Sequence, residues 1–135
     1  MKCPLCKEKN SEDLLVIEDN YSFCVVSKWP LKKGHLLVLP KAHKIHLTEL
    51  NKDESKSLLD MIHNAKNLLK KAYGGEVICV KNNGKHCSQE HLHFHVIISK
   101  GNLRSLISSF ENREFKPNVA TEEMIKMKDE IRNFI

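Results

Sequence analysis

Three histidines, His91, His93 and His95, alternate with apolar residues in the segment His-Leu-His-Phe-His-Val-Ile-Ile at residues 91–98. A β-strand sends successive side chains to opposite faces, so this spacing predicts three imidazoles on one accessible face, about 6–7 Å apart, with the apolar side chains in the core. Imidazole is a nucleophile, a proton carrier near neutral pH and a common metal ligand. The segment therefore predicts a catalytic or metal-binding surface rather than three ordinary surface histidines.

Geometry limits how the three histidines can bind a metal ion. Zinc bonds to imidazole nitrogen at about 2.0–2.1 Å, which residues i and i+2 of a strand can reach together but three alternate residues cannot. At most two of the three should therefore bind one ion. A second signal, Cys3-x-x-Cys6, predicts a zinc half-site in a reduced compartment, with histidines near the triad or after Pro40 as candidates for the remaining ligands.

Short apolar runs bounded by turn residues surround these motifs. We expect an antiparallel sheet of about five strands with helices packed on one side, which is an α+β fold. A long amphipathic helix ends near Gly74-Gly75, whereas Leu103 to Phe110 is compatible with a helix or a strand. The expected strands span residues 14–17, 22–27, 36–39, 76–80 and 92–98, and the expected helices span residues 48–73 and a segment that begins at Thr121.

Length, charge and cysteine content narrow the class of protein. The 135 residues carry 22 Lys and Arg against 17 Asp and Glu, a net charge of +5 that suits a small anionic ligand more than a nucleic acid. No apolar run reaches the roughly 18 residues of a membrane span, and five cysteines without an export signal favour reduced thiols. We expect one cytoplasmic domain over residues 1–135, with a zinc-binding segment at residues 1–10 and an unassigned C-terminal extension at residues 101–135.

Two motifs resemble those of the histidine triad superfamily. Residues 30–43 are similar to its Pro-x-x-x-Gly-His, apolar strand, Pro-Lys-x-His pattern, and residues 91–98 to its His-φ-His-φ-His-φ-φ motif, where φ is apolar. The resemblance covers about residues 3 to 98 and implies the histidine triad fold and a homodimer. Cys87-Ser88-x-x-His91, together with Cys-x-x-Cys and Val-x-x-Trp-Pro at residues 26–30, also resembles hexose-phosphate uridylyltransferases, but His95 stands where those enzymes have Gln.

The resemblance implies a nucleotide substrate and a role for each matched residue. His93 would be the nucleophile on the α-phosphorus and form a covalent nucleotidyl-histidine intermediate, its tautomer fixed by the backbone carbonyl of His91. His95 would assist the leaving group or activate water. Asn82 and Ser88 match positions that hold phosphate oxygens, and Ser88 is counted among the catalytic residues.

In the zinc-containing branches of the superfamily, the metal ligands are the two cysteines of Cys-x-x-Cys, the histidine of Pro-Lys-x-His and the first triad histidine. These positions match Cys3, Cys6, His43 and His91, and His46 is a rival to His43. Such a set satisfies the four-coordinate Cys₂His₂ rule for a structural zinc.

The chain departs from the superfamily pattern in three respects, one of which is that the tail after Gly101 carries no motif that matches a substrate-specificity element. Many members have an Asp three residues before the Pro, where it holds the ribose hydroxyls, and this chain has Ser27. The loop between Asn82 and Ser88 is shorter than usual, so Asn83 is an alternative phosphate ligand to Asn82.

Together these observations predict a zinc-stabilised nucleotide hydrolase that cleaves at the α-phosphorus. Dinucleoside polyphosphates and nucleoside phosphoramidates are the substrate candidates that the resemblance implies. A nucleotidyl transferase and a nucleotide-binding module with negligible turnover are the alternatives. No clear nucleic-acid surface and no membrane contact are expected.

Overall fold

The sheet predicted from alternating apolar residues is present in the computed structural model, which describes residues 3–81, 89–112 and 121–135. Five strands form it, and every neighbouring pair is antiparallel, so the α+β class is confirmed. The elements are α1 (Pro4–Glu8), β1 (Leu15–Glu18), β2 (Ser22–Val26), β3 (Leu36–Pro40), a 3-10 turn (Leu47–Glu49), α2 (Lys52–Tyr73), β4 (Glu76–Val80), β5 (Phe94–Ser99), α3 (Leu103–Glu111) and α4 (Thr121–Arg132). The strand order is β1-β2-β3-β5-β4.

The chain divides into two compact units, Met1–Asn102 and Leu103–Ile135. The first contains the sheet with α1 and α2, and the second contains α3 and α4. Leu103 to Phe110, which the sequence left open between helix and strand, is helical. None of the helices in the described parts of the chain is both long and apolar enough to cross a membrane.

Helix α2 covers one face of the sheet. Its apolar stripe includes Leu58, Met61 and Leu69, which are buried against Val38 and Val96 of the sheet. Fully burying one such side chain contributes about 1.5–3 kcal/mol of free energy, so this interface is the main apolar support of the strands.

Helix α2 begins at Lys52 rather than at Thr48 because a capping box at Asn51 defines its first turn. The Asn51 side chain accepts a hydrogen bond from the Glu54 backbone N–H at 2.8 Å, and the Glu54 carboxylate accepts one from the Asn51 N–H at 3.0 Å. Both side chains satisfy backbone donors that the helix itself leaves unpaired.

Helix α1 was not expected, and it lies on the opposite face of the sheet from α2. Its Leu5 is buried with Phe23, Leu37 and Leu39, whose neighbours along the strands contribute to the core under α2. His95 is paired with Leu37 in the ladder between β3 and β5, so the His95 side chain is on the α1 face. The two faces therefore have different roles, since one carries the main core and the other carries the triad.

Candidate functional site

Two cysteines and two histidines from separate segments meet beside α1. Cys3 precedes α1, Cys6 lies within it, His43 follows β3 and His91 precedes β5. Their potential ligand atoms all lie within 4.8 Å of one another. The Cys6 sulfur is 3.2 Å from Nδ1 of His91 and 3.3 Å from Nδ1 of His43. Tetrahedral zinc separates a bound sulfur from a bound nitrogen by about 3.6 Å, so this donor set fits a four-coordinate ion.

The second ring nitrogen of His91 fixes which atom faces the cysteines. Nε2 lies 2.9 Å from the carbonyl oxygen of Pro40, which can only accept a hydrogen bond, so Nε2 carries the proton. Nδ1 is then unprotonated and directed at Cys6. Burial lowers the pKa of His91 below its usual value, which favours the neutral form that binds metal.

The thiol chemistry also fits a cation at this position. Burial, followed by the neighbouring Cys3, raises the pKa of the Cys6 thiol. A dication would reverse this effect by stabilising the thiolates. His46, the rival to His43, lies outside the four-residue cluster and is exposed, with its backbone N–H donating to Glu49 at 2.9 Å.

His93 has the opposite orientation. Its Nδ1 lies 2.7 Å from the carbonyl oxygen of His91, so Nδ1 carries the proton and donates it to that carbonyl. The lone pair is therefore on Nε2. Although His93 is only 3% exposed, it lines a cavity, and burial lowers its pKa so that the neutral imidazole is favoured. A neutral imidazole with a free Nε2 is a nucleophile.

A chain of hydrogen bonds sets the tautomer of His95. The backbone N–H of Leu31 donates to Nδ1 of His35 at 3.0 Å, and Nε2 of His35 lies 2.9 Å from Nδ1 of His95. Because Nδ1 of His35 accepts, its Nε2 carries the proton and donates to His95. The proton of neutral His95 is then on Nε2. Burial, then the neighbouring imidazoles and Lys81, lowers the pKa of His95 to about 4.

Gly34 allows His35 to reach this position. Its φ is 81°, and a Cβ built there would lie 2.8 Å from Cε2 of Tyr73, closer than a Cβ atom approaches other heavy atoms in proteins. Only glycine combines this backbone conformation with the close approach. Sequence reasoning gave His35 no role, although the Gly-His dipeptide ahead of the strand was the signal that could have identified it.

A cavity of about 510 Å³ lies between α1 and the sheet. This volume is within the usual range for small-molecule sites. One wall is the apolar and acidic surface of α1, another is the segment before His35, and His93 and His95 lie on the sheet side. The lining residues that the structure describes are Pro4, Leu5, Glu8, Ser27, Lys28, Trp29, Leu31, His35, Leu37, Gln89, His93 and His95.

The structure brings together most of the residues singled out from the sequence. The rings of His93 and His95 are 5.1 Å apart, and the proposed zinc ligands form one cluster. Ser27 lines the cavity, and its hydroxyl accepts a hydrogen bond from the Trp29 backbone at 3.2 Å. The predicted phosphate-binding residues, Asn82 with its alternative Asn83, and Ser88, lie outside the described residues, as does Cys87.

Comparisons with known proteins give consistent matches to one family. The family model described as HIT domain matches residues 8–102. An uncharacterised HIT-like protein of Methanocaldococcus jannaschii is 34% identical over 99 residues, covering 70% of this chain and 77% of that protein. The adenosine 5′-monophosphoramidase HNT1 of Saccharomyces cerevisiae is 32% identical over 116 residues, covering 83% of this chain and 72% of that enzyme.

The fold also matches solved structures. A member of the HIT family of proteins from Bacillus subtilis superposes with a TM-score of 0.72 at 20% identity, covering 100% of this chain and 98% of that chain.

Proposed function

Since the chain belongs to the HIT-domain family, we propose that it hydrolyses nucleotides at the α-phosphorus through a covalent intermediate on His93. The observation that carries this proposal is the 2.7 Å hydrogen bond from Nδ1 of His93 to the His91 carbonyl, which leaves Nε2 as a nucleophile at the cavity. As the imidazole gains positive charge, this hydrogen bond becomes charge-assisted, and a hydrogen bond to a charged group contributes about 1.5–3 kcal/mol in total.

The proposed reaction has two displacements. In the first, Nε2 of His93 attacks the α-phosphorus and the bond to the leaving group breaks, while the Nε2–H of neutral His95 donates a hydrogen bond to the departing atom, which takes its proton from water. In the second, water attacks the phosphorus, the nitrogen–phosphorus bond breaks, and the proton lost by the attacking water goes to the solvent. The sum is one water consumed, with a nucleoside monophosphate and a protonated leaving group released.

Nucleoside phosphoramidates are the substrate class that we favour. The Saccharomyces cerevisiae relative is named an adenosine 5′-monophosphoramidase, and the similarity extends over most of this chain. Dinucleoside polyphosphates present the same α-phosphorus to His93 and belong in the same substrate panel.

A rapid-quench experiment tests the reaction type. Wild-type protein is mixed with labelled adenosine 5′-phosphoramidate and quenched in base, because the phosphohistidine bond hydrolyses in acid. We expect a burst of released product proportional to the protein, an adduct of one nucleotide on His93, and continuing turnover in water. His93→Ala should give neither burst nor adduct, and His63→Ala, an exposed histidine on α2, is the matched control.

The same experiment separates the alternatives. An adduct that water leaves intact but a phosphate-bearing acceptor discharges would identify a nucleotidyl transferase. Nucleotide binding with neither adduct nor turnover across the panel would identify a binding module. Either result contradicts hydrolysis through His93.

We also propose that Cys3, Cys6, His43 and His91 hold one zinc ion. Two cysteine sulfurs and two imidazole nitrogens are the donor set of a structural zinc site. The ion would keep the thiolates and neutral imidazoles together and so fasten α1, which forms one wall of the cavity, to the segment that carries His93. No reacting atom is assigned to it.

Elemental analysis tests the metal assignment. We expect about one zinc per chain and a lower melting temperature after chelation. Cys6→Ser should lose the zinc, whereas Cys79→Ser, which changes an exposed free cysteine on β4, should retain it. Protein purified metal-free without a chelator, with melting unchanged on adding zinc, would contradict the assignment.

The homodimer and the cytoplasmic location stay predictions. Light scattering on the purified protein would test the first, and fractionation of cells the second.

A further inference from the structure

Glu8 is a buried acidic residue in the wall of the catalytic cavity. It is the last residue of α1, it is only 5% exposed, and it lines the cavity that His93 and His95 also line. One carboxylate oxygen lies 3.4 Å from the ammonium of Lys28. The other, Oε2, is buried and has no hydrogen-bond partner among the described residues. Nothing in the sequence motifs gave Glu8 a role.

A buried carboxylate oxygen without a donor is uncommon in folded proteins. Ionised carboxylates only accept hydrogen bonds, and a buried acceptor left unpaired opposes folding, so Oε2 has the capacity to accept from a donor that the described residues do not supply. The Lys28 ion pair leaves this second oxygen unpaired, because the Lys28 side chain contacts Oε1.

The charge of Glu8 indicates which part of a substrate it contacts. A phosphate is an anion and would be repelled by the carboxylate. Sugar hydroxyls and base amino groups are neutral donors, and a carboxylate is a common acceptor for both. In a nucleotide whose phosphorus lies at His93, these donors belong to the nucleoside half. Lys28 beside Glu8 reduces the repulsion that the carboxylate exerts on an anionic substrate.

We propose that Glu8 is a specificity-determining residue that accepts hydrogen bonds from O–H or N–H donors on the nucleoside half of the substrate. This inference rests on the proposed function for the identity of the substrate. Ser27 lies in the same cavity and carries no charge, so Glu8 is the acidic residue that lines the cavity among the described residues. Helix α1 thus connects the cysteine cluster to substrate recognition through Glu8.

Binding measurements test the inference independently of turnover. Trp29 is the only tryptophan in the sequence, is 87% exposed and lines the cavity, so its fluorescence reports ligand binding. The ligands are the 5′-monophosphates of adenosine, 2′,3′-dideoxyadenosine and purine riboside, the last of which lacks the amino group of adenine. The variants are Glu8→Gln and Glu8→Ala. Glu18→Gln is the matched control, because Glu18 also pairs with a lysine but lies outside the cavity.

We expect wild-type protein to bind adenosine monophosphate about 10- to 100-fold more tightly than at least one analogue, the range for a hydrogen bond to a charged group. A preference over the dideoxy compound identifies the sugar hydroxyls as donors, and a preference over the purine riboside identifies the amino group. Glu8→Ala should bring that ratio close to one, Glu8→Gln should reduce it, and Glu18→Gln should leave it unchanged.

Two results would overturn the inference. One is equal binding of all three ligands by the wild-type protein, and this measurement does not require the variants to fold. The other is a Glu8→Ala protein that binds every ligand more weakly by the same factor. Failure of the proposed function looks different, because the adduct and turnover would be absent while the binding ratios could still be measured.

Discussion

His91 and His93 are two residues apart, and their imidazoles face opposite chemical environments. His91 donates from Nε2 to the Pro40 carbonyl and presents Nδ1 to the cysteines. His93 donates from Nδ1 to the His91 carbonyl and leaves Nε2 at the cavity. Both ring nitrogens of His91 therefore face protein groups, whereas Nε2 of His93 faces the cavity.

The difference shows that the partner of the second nitrogen decides what each histidine can do. In both cases that partner is a backbone carbonyl, which fixes the tautomer because it can only accept. Replacing the side chain of Pro40 or His91 leaves the backbone carbonyl of that residue in place. The path of the chain therefore sets the two tautomers. The same residue type therefore serves as a structural ligand at one position and as a nucleophile at the other.

The largest effects are expected when His91 and His93 are each replaced with alanine in separate variants. His93→Ala should lower turnover by roughly three orders of magnitude or more, because the nucleophile is lost, while the metal content stays at the wild-type value. His91→Ala should lose the metal and lower the melting temperature. Steady-state kinetics, elemental analysis and thermal melting of both proteins decide it. Near-normal turnover by His93→Ala, or a full metal complement in His91→Ala, would contradict the division of roles.

Substitution of His35 should have a smaller effect, because His35 supports His95 and is not the nucleophile. His35→Phe removes the donor that fixes the His95 tautomer, and we expect kcat to fall about tenfold to a hundredfold with KM little changed. His35→Gln keeps an N–H donor and should recover part of the loss. The matched control is His63→Gln on α2. A KM increase without a change in kcat, or no rescue by Gln, would indicate a role in packing alone.

Acidification should have the smallest effect, which is a decrease in the free energy of unfolding. Burial and the neighbouring imidazoles lower the pKa of His95 from 6.5 to about 4, so between these values the unfolded chain binds a proton that the folded chain does not. Because the unfolded chain binds the extra proton, the free energy of unfolding falls as the pH decreases from 6.5 towards 4. Above pH 6.5 His95 is neutral in both states, and this loss of stability is absent. His95→Gln removes it.

The measurement is the melting temperature of wild-type protein and His95→Gln across this pH range. The proposed metal site is common to both proteins, so the difference between them isolates His95. We expect the wild-type melting temperature to fall more steeply than that of the variant on acidification. A difference that stays constant with pH would show that the folded state does not suppress protonation of His95.

The sequence predicted the sheet well because its strands alternate apolar residues between clear turn signals. β4 was predicted with its observed bounds, Glu76–Val80, and β2 and β3 within one residue. Helix α1 was missed because a segment of five residues is too short to show helical periodicity. Its position is determined by contacts distant in sequence, such as that of Leu5 with Leu37 and Leu39.

The site was predicted less completely than the fold. The expected strand at residues 92–98 begins instead at Phe94, since the Leu92 N–H donates to the Lys44 carbonyl at 2.6 Å rather than to the ladder. The alternation of side chains still separates Leu92, which is buried in the core, from His93 at the cavity. His35 and Glu8 were missed because their importance lies in contacts with residues far along the chain.

Nitrogen-15 NMR of the histidine side chains tests the central claim most directly, because couplings between ring nitrogens and ring carbon-bound protons distinguish the two neutral tautomers. The measurement uses labelled protein near neutral pH, with signals assigned from the spectra of His91→Ala and His93→Ala. We predict that His93 carries its proton on Nδ1 and His91 on Nε2. A His93 spectrum with the proton on Nε2 would contradict the account, because no lone pair would then face the cavity.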